Sequence, residues 1–219
     1  MNAKYPRTAH LPWSPGGTRD DRRLVVLDQF FDRTLVITEK LDGSNLCMTA
    51  DAVYARSHSG APGHPSFDAA KAMHAEVSRL IPRYLSIFGE WCMALHSIKY
   101  DKGLPSYFNV FAIRDDEAQV WLSWDKVCSW TDNLGLERVP ELLRTTVNSV
   151  DELRAVTDKF TFQPSVYGPE REGVVVRACV AYADNVFSNF TAKWVRADHV
   201  QTDEHWSKGD FIKQPRRTA

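Results

Sequence analysis

The chain has 219 residues, long enough for one large domain or two very small ones. Hydrophobic residues make up 43% and charged residues 25%, an ordinary globular balance, and the formal net charge of -1 excludes a global basic field. Any affinity for nucleic acid then has to come from local patches, and with no signal-peptide core or bilayer-length apolar run the chain is expected to be soluble and cytoplasmic, without a membrane partner.

Residues 1–23 are rich in Pro, Gly and Arg and are expected to form an ordered arm outside the core. Short β-type runs follow, each bounded by turn residues: TLVIT, LCMTA, AVYARS, YLSIFGEW, YFNVFAI, QVWLSW, GVVVRA and FTAKWV. Helical patterns fall between them. Phe67, Ala70, Met73, Val77 and Leu80 recur at three-to-four spacing, with Ser66 as N-cap. A second helix starts at Ser123 or Asp125 and stops at Gly135, and a third opens with a capping box of Ser149 and Glu152. The polar, basic tail 207–219 is expected to fray. There is no internal repeat and no low-complexity linker, so residues 1–219 read as a single domain. Grouped strands and clumped helices predict an α+β fold of largely antiparallel sheets with flanking helices.

Cys47, Cys92, Cys128 and Cys179 include no C-x-x-C pair and have apolar or aromatic neighbours, as reduced and mostly buried cysteines do. The histidines show no metal spacing; His199 and His205 have acids between them and no cysteine partner.

Lys40 lies in TEKLDGSN between two carboxylates, followed by a glycine. It is either a solvated turn residue or a nucleophile, and the second role needs desolvation or nearby cations to free the amine of its proton. Other charged residues lie within or at the ends of apolar strands: Glu90 in FGEWC, Glu172 and Arg177 in EGVVVR, Lys193 and Arg196 in AKWVR, and Arg56 in YARSHSG. Buried carboxylates are rare unless paired or ligand-bound. The set fits a pocket for a phosphorylated, ribose-bearing ligand with a divalent ion, or equally a group of unrelated strand-end ion pairs.

In order along the chain, Lys40-x-Asp42-Gly43-x-Asn45, Arg56, Glu90, the aromatic strand with Phe111, Glu172 and Lys193 resemble the motifs of the covalent nucleotidyltransferases, and within them the ATP-dependent RNA ligases. The match runs from about Thr38 to Arg196, and Asn45 in the first motif is typical of the RNA ligase branch. The resemblance implies a nucleotidyltransferase (ATP-grasp-like ligase) domain. It also implies ATP with Mg2+ or Mn2+, an AMP held covalently on Lys40, and RNA as the partner that receives it. Lys193 would aid catalysis by neutralising phosphate charge. Glu90 would bind ribose hydroxyls, Phe111 would stack on adenine, and Glu39 would hold or read the base. Arg56 would contact ribose or the 5′-phosphate, and Glu172 would sit near metal and nucleotide. Asp42, Gly43 and Asn45 belong to the nucleotide-binding turn.

Three departures stand out. Val195 occupies the place of a second lysine, leaving Arg196 to supply that cation; Ala112 stands where an Asp is frequent; and little chain follows Arg196 for an OB-fold domain, so none is expected. RNA would then be clamped by other means, including a partner protein or clamping module. Arg7, Arg22, Arg23 and the Lys208 to Arg217 tail are the basic candidates, set against ordinary solvated surface. A nick-sealing DNA ligase and an ATP- or RNA-binding module without ligation are the alternatives.

Overall fold

Period-two alternation and frequent turn residues lay down two mainly antiparallel sheets. The computed structural model describes residues 4–17, 21–56, 62–197 and 211–217. In chain order the elements are β1 (Ala9–His10), β2 (Thr34–Lys40), β3 (Ser44–Met48), β4 (Val53–Ala55), α1 (Asp68–Val77), β5 (Leu85–Trp91), β6 (Phe108–Asp115), β7 (Val120–Trp121), α2 (Trp124–Leu134), β8 (Glu137–Arg138), β9 (Glu141–Thr146), α3 (Val150–Thr161), β10 (Gly173–Ala178), β11 (Tyr182–Ala183), α4 (Phe187–Phe190) and β12 (Thr191–Val195). The first sheet has the order β1-β12-β10-β2-β9, and the second runs β11-β7-β6-β5-β3-β4 with β8 beside β6. Only β1 with β12 and β6 with β8 pair in parallel among the described strands. The expected α+β class with largely antiparallel sheets is what forms.

Each sheet buries one face under helices. Leu35, Ile37, Val174, Val176 and Trp194 of the first sheet pack with Leu153 and Phe160 of α3. Leu46, Met48, Ile87, Phe108 and Ile113 of the second pack with Ala70 and Val77 of α1 and with Trp124 and Val127 of α2. A third group, Cys47, Phe88, Trp121 and Phe187, lines the other side of the second sheet together with Tyr5 and Phe111.

Helix ends follow local chemistry. Ser123 accepts the Lys126 N–H and Gly135 closes α2 in the left-handed region at φ 63°; such an N-cap is worth about 1 kcal/mol. Ser149 caps α3 through the Glu152 N–H, while the Glu152 carboxylate reaches the Asn148 N–H at 2.8 Å, one residue before the expected partner. Ser66 does not cap α1: a 3-10 turn, Pro65–Phe67, precedes the helix, and His64 accepts the Ser66 N–H. Leu80 falls beyond α1 and is 59% exposed, because the helix tightens into another 3-10 turn at Ser78–Leu80.

Two expectations fail for the same reason, that polar composition does not report burial. The N-terminal arm is part of the core. Ala9 and His10 pair with Ala192 and Lys193, Leu11 is fully buried, and the Leu11 N–H donates to the Lys193 carbonyl at 2.8 Å. Of the tail 207–219, residues 211–217 are docked, with Gln214 only 2% exposed, and the others lie outside the described residues. No described helix is long and apolar enough to cross a membrane. His199, His205, Lys208 and residues 57–60 of the arginine motif lie outside the described residues.

Candidate active site

Alternation along β2 sends neighbouring side chains to opposite faces. Leu35 and Ile37 join the α3 layer, whereas Thr38 and Lys40 border a cleft of about 620 Å³ lined by both sheets. That volume suits a small-molecule ligand. The register sets Gly173 opposite Lys40, and Val175 between Thr38 and Lys193. Val175, Arg177 and Lys193 therefore share the cleft face with Lys40. From the second sheet come Asn45 and Glu90, which are cross-strand partners, and Phe111 of β6; Arg56 adds a cation just past β4. Eight motif residues thus line one cavity with Lys40: Asp42, Gly43, Asn45, Arg56, Glu90, Phe111, Glu172 and Lys193.

Lys40 Nζ lies 2.7 Å from both carboxylate oxygens of Glu172, which is 1% exposed. Burial alone would lower the Lys40 pKa, but the charge of Glu172 outweighs it and holds the group as an ammonium, above its ordinary value. The expectation that neighbouring cations keep the amine neutral does not describe this state, because the acids are closer. The Glu90 carboxyl is pushed up to about 8, by burial first; Lys40 opposes the rise, and Glu172 and Asp42 add to it. Lys193 moves down, through burial first and then the charge of Lys40, while Asp21 at 4.0 Å works the other way.

Glu39, Asp42 and Arg196 are bonded to groups other than Lys40. Glu39 borders the cleft, but its carboxylate accepts the Val166 N–H at 3.0 Å and lies 3.5 Å from Arg171. Burial raises the Glu39 pKa, against those bonds. The Asp42 carboxylate accepts the N–H groups of Ser97 and Ile98 and the Ser97 hydroxyl, each at 2.8 Å. Arg196 pairs with Glu170 at 3.0 Å and is absent from the cleft lining, so it supplies no second cation there. Val195 is buried.

Gly43 has a reason other than a left-handed turn, since its φ is not positive. A Cβ there would meet the Trp91 carbonyl at 2.6 Å and Glu90 Cγ at 3.1 Å. Its lack of a side chain lets the lysine turn close against the strand that carries Glu90.

The sequence profile of the RNA ligase family matches residues 33–195. This chain belongs to the RNA ligase family. No curated protein matches it. Among solved structures its fold is similar to Naegleria gruberi RNA ligase with PPi, at 21% identity and a TM-score of 0.60, covering 78% of this chain and 51% of that one. Two mutants of the same enzyme with ATP and Mn align at 20% identity (TM-score 0.58, 78% of this chain and 52% of that one) and at 18% (0.60, 90% and 61%). The chain spans about half the length of the first of these. At such identities the likeness is one of fold. The RNA ligase match contains every cleft residue from Thr38 to Lys193, but neither the arm nor Arg196.

Arg177 entered the sequence reading only as one of the charged strand-end set, without a role of its own, and Tyr5, Asp21 and His96 did not enter it. Arg177 points into the cleft from β10, donates to the Phe111 carbonyl and lies 5.2 Å over the Trp124 ring. Its parity with Val175 was the available signal. Tyr5 meets Phe111 edge-on at 4.8 Å, and Asp21 and His96 also line the cavity. No local pattern marks these three, because only chain closure brings them there.

Proposed function

We propose that this RNA ligase family member is an ATP-dependent RNA ligase that joins 5′-phosphate and 3′-hydroxyl ends through a lysyl-AMP formed on Lys40. The observation that carries the proposal is the Lys40 amine itself, 2.7 Å from Glu172 in a cleft it shares with Glu90, Arg56 and Lys193. It is accessible from the cavity, flanked by acids that can take its proton and by cations that can meet phosphate.

The first step forms the Lys40 Nζ–Pα bond and breaks the bond from Pα to the bridging oxygen, so pyrophosphate leaves with the electron pair. The ammonium must first give up a proton, and Glu172 is the adjacent acceptor. Phosphate charge entering beside Lys193 and Arg56 is stabilised as the α-phosphorus becomes pentavalent. An RNA 5′-phosphate oxygen then displaces Nζ and takes the AMP. Finally a 3′-hydroxyl attacks the 5′-phosphorus, its proton departs, and AMP leaves. Phe111 and Val175 offer apolar walls to the adenine, and Glu90, protonated near neutral pH, can donate to or accept from a ribose hydroxyl.

Among the described residues, no three of His, Cys, Asp and Glu converge to hold a metal ion. The donor set fits Mg2+ or Mn2+ bound through Glu172 with nucleotide phosphates as further ligands, the usual mode for such ions. When bound, the ion supplies charge neutralisation and orientation of the pyrophosphate.

The test is incubation with ATP labelled at the α-phosphate, with either ion, followed by denaturing electrophoresis. Wild type should keep the label and Lys40→Ala should not; equal labelling sinks the mechanism. Nicked RNA, single-stranded RNA and nicked DNA are then offered as acceptors. Sealing of DNA alone makes the chain a DNA ligase, and ATP binding without label makes it a binding module.

A further inference from the structure

The turn that carries Lys40 is held from behind by one short connection, and that connection is held by the C-terminal segment. Asp42 takes three hydrogen bonds from Ser97 and Ile98, and its own N–H donates to the Tyr100 hydroxyl at 2.7 Å. On the far side, Gln214 grips the main chain at Ile98 and Tyr100. Its Oε1 accepts the Tyr100 N–H at 3.0 Å, and its Nε2 donates to the Ile98 carbonyl at 2.6 Å. Main-chain bonds fasten the segment along its length: Leu95 N–H to Ile212 at 2.7 Å, Gln214 N–H to Met93 at 2.9 Å, Leu104 N–H to Pro215 at 2.9 Å and Arg217 N–H to Leu104 at 3.0 Å. Gly103, at φ +77°, leaves room for this approach, since a Cβ there would meet the Arg217 nitrogen at 2.8 Å.

We infer that Gln214 is a positioning residue for Lys40, and that residues 211–217 act as a strap transmitting its grip through Ile98 and Tyr100 to Asp42. The strap lies beyond residues 33–195, which carry the family match. A buried carboxamide whose donor and acceptor are both engaged has one orientation, so it fixes the spacing of Ile98 and Tyr100. Asp42 in turn fixes the start of the turn two residues after Lys40. The inference rests on the reading of Lys40 as nucleophile.

The experiment measures single-turnover AMP transfer to Lys40 in wild type, Gln214→Ala, Gln214→Glu and Tyr100→Phe, alongside thermal melts. A small displacement of a nucleophile lowers rate at saturating ATP, and Gln214→Ala should lose about tenfold or more. Its apparent KM for ATP should stay within about twofold, because the ATP-facing groups are untouched. Gln214→Glu keeps the acceptor for Tyr100 N–H and should recover part of the rate. Tyr100→Phe removes the Asp42 bond without touching the strap, and should slow transfer even if Gln214→Ala fails to fold. A Gln214→Ala chain that melts earlier but transfers AMP at the wild-type rate overturns the inference, as does a normal rate in Tyr100→Phe. The Lys40 side-chain NMR signal is followed in parallel. If wild type takes no AMP, the nucleophile reading fails separately, and the strap is judged by that signal: a shift in Gln214→Ala supports positioning, and an unmoved signal overturns it.

Discussion

At Lys40 the deciding quantity is the sign of the nearest charge. Desolvation pushes towards a free amine, but the charge of Glu172 at 2.7 Å prevails, so the resting group is an ammonium. Under the proposed mechanism, attack by Lys40 requires that this negative charge be neutralised or that a proton pass to Glu172. Glu90 is the carboxyl whose titration reports the crowding. It titrates at about 8 in the folded chain, against an ordinary 4.5. Between those values the folded state holds a proton the unfolded state has released, so Glu90's contribution to stability is full below about 4.5 and is lost as pH rises through about 8. Glu90→Gln mimics the protonated form and removes that slope. Thermal melts of the two proteins across this range should therefore diverge, with the wild type losing ground at higher pH. Parallel curves would mean that Glu90 is ionised throughout.

Among the elements, β1 departs most from a reading by composition. A Pro-, Gly- and Arg-rich opening resembles surface, yet β1 extends the first sheet by parallel pairing to the strand that carries Lys193. His10 sits opposite Lys193 in that ladder, and the Ser14 hydroxyl accepts the Val195 N–H at 2.9 Å. Burial, followed by the charge of Lys193, lowers the His10 pKa to about 4, so the ring is neutral at physiological pH. Leu11→Ala should destabilise the chain by about 2–5 kcal/mol, as for a buried leucine. Urea unfolding measures it, and a loss below about 0.5 kcal/mol would mean an arm lying on the surface. β9 was hidden for the opposite reason: its residues are exposed or half-buried at the sheet edge, so no apolar alternation announces it. By contrast β2, β5, β10 and β12 were legible, because both the inward and the outward residues of a central strand are recorded locally in its pattern.

In the whole molecule, the cleft exists only because two sheets contribute to it. Lys40, Glu172, Val175 and Lys193 belong with the first sheet, and Asn45, Glu90 and Phe111 with the second. A nucleotide bound there bridges both and should stabilise them together. ATP with Mg2+ or Mn2+ at about 100 times its Kd should add about 2.7 kcal/mol and raise the Tm. Differential scanning fluorimetry on Lys40→Ala, which under the proposed mechanism cannot trap AMP, isolates binding from covalent labelling. An unchanged Tm at saturating ATP would show that the cleft does not hold the nucleotide.

The sequence by itself determined the α+β class, the central strands, two helix caps and the set of charged residues that meets at Lys40. Strand alternation, capping and the order of motifs are short-range properties, written within a few residues of where they act. Tertiary structure alone decided which way those residues face and what they touch. Glu39 and Lys40 are neighbours in the chain, yet the pleat turns the carboxylate of one to Arg171 and the amine of the other to Glu172. Arg196 follows the buried Val195 and pairs with Glu170, away from the cavity. Gln214 reaches Tyr100 across 114 residues. Hydrogen bonds and pKa values depend on separations of a few ångströms, and for residues this far apart in the chain those separations are set by how the sheets close on each other.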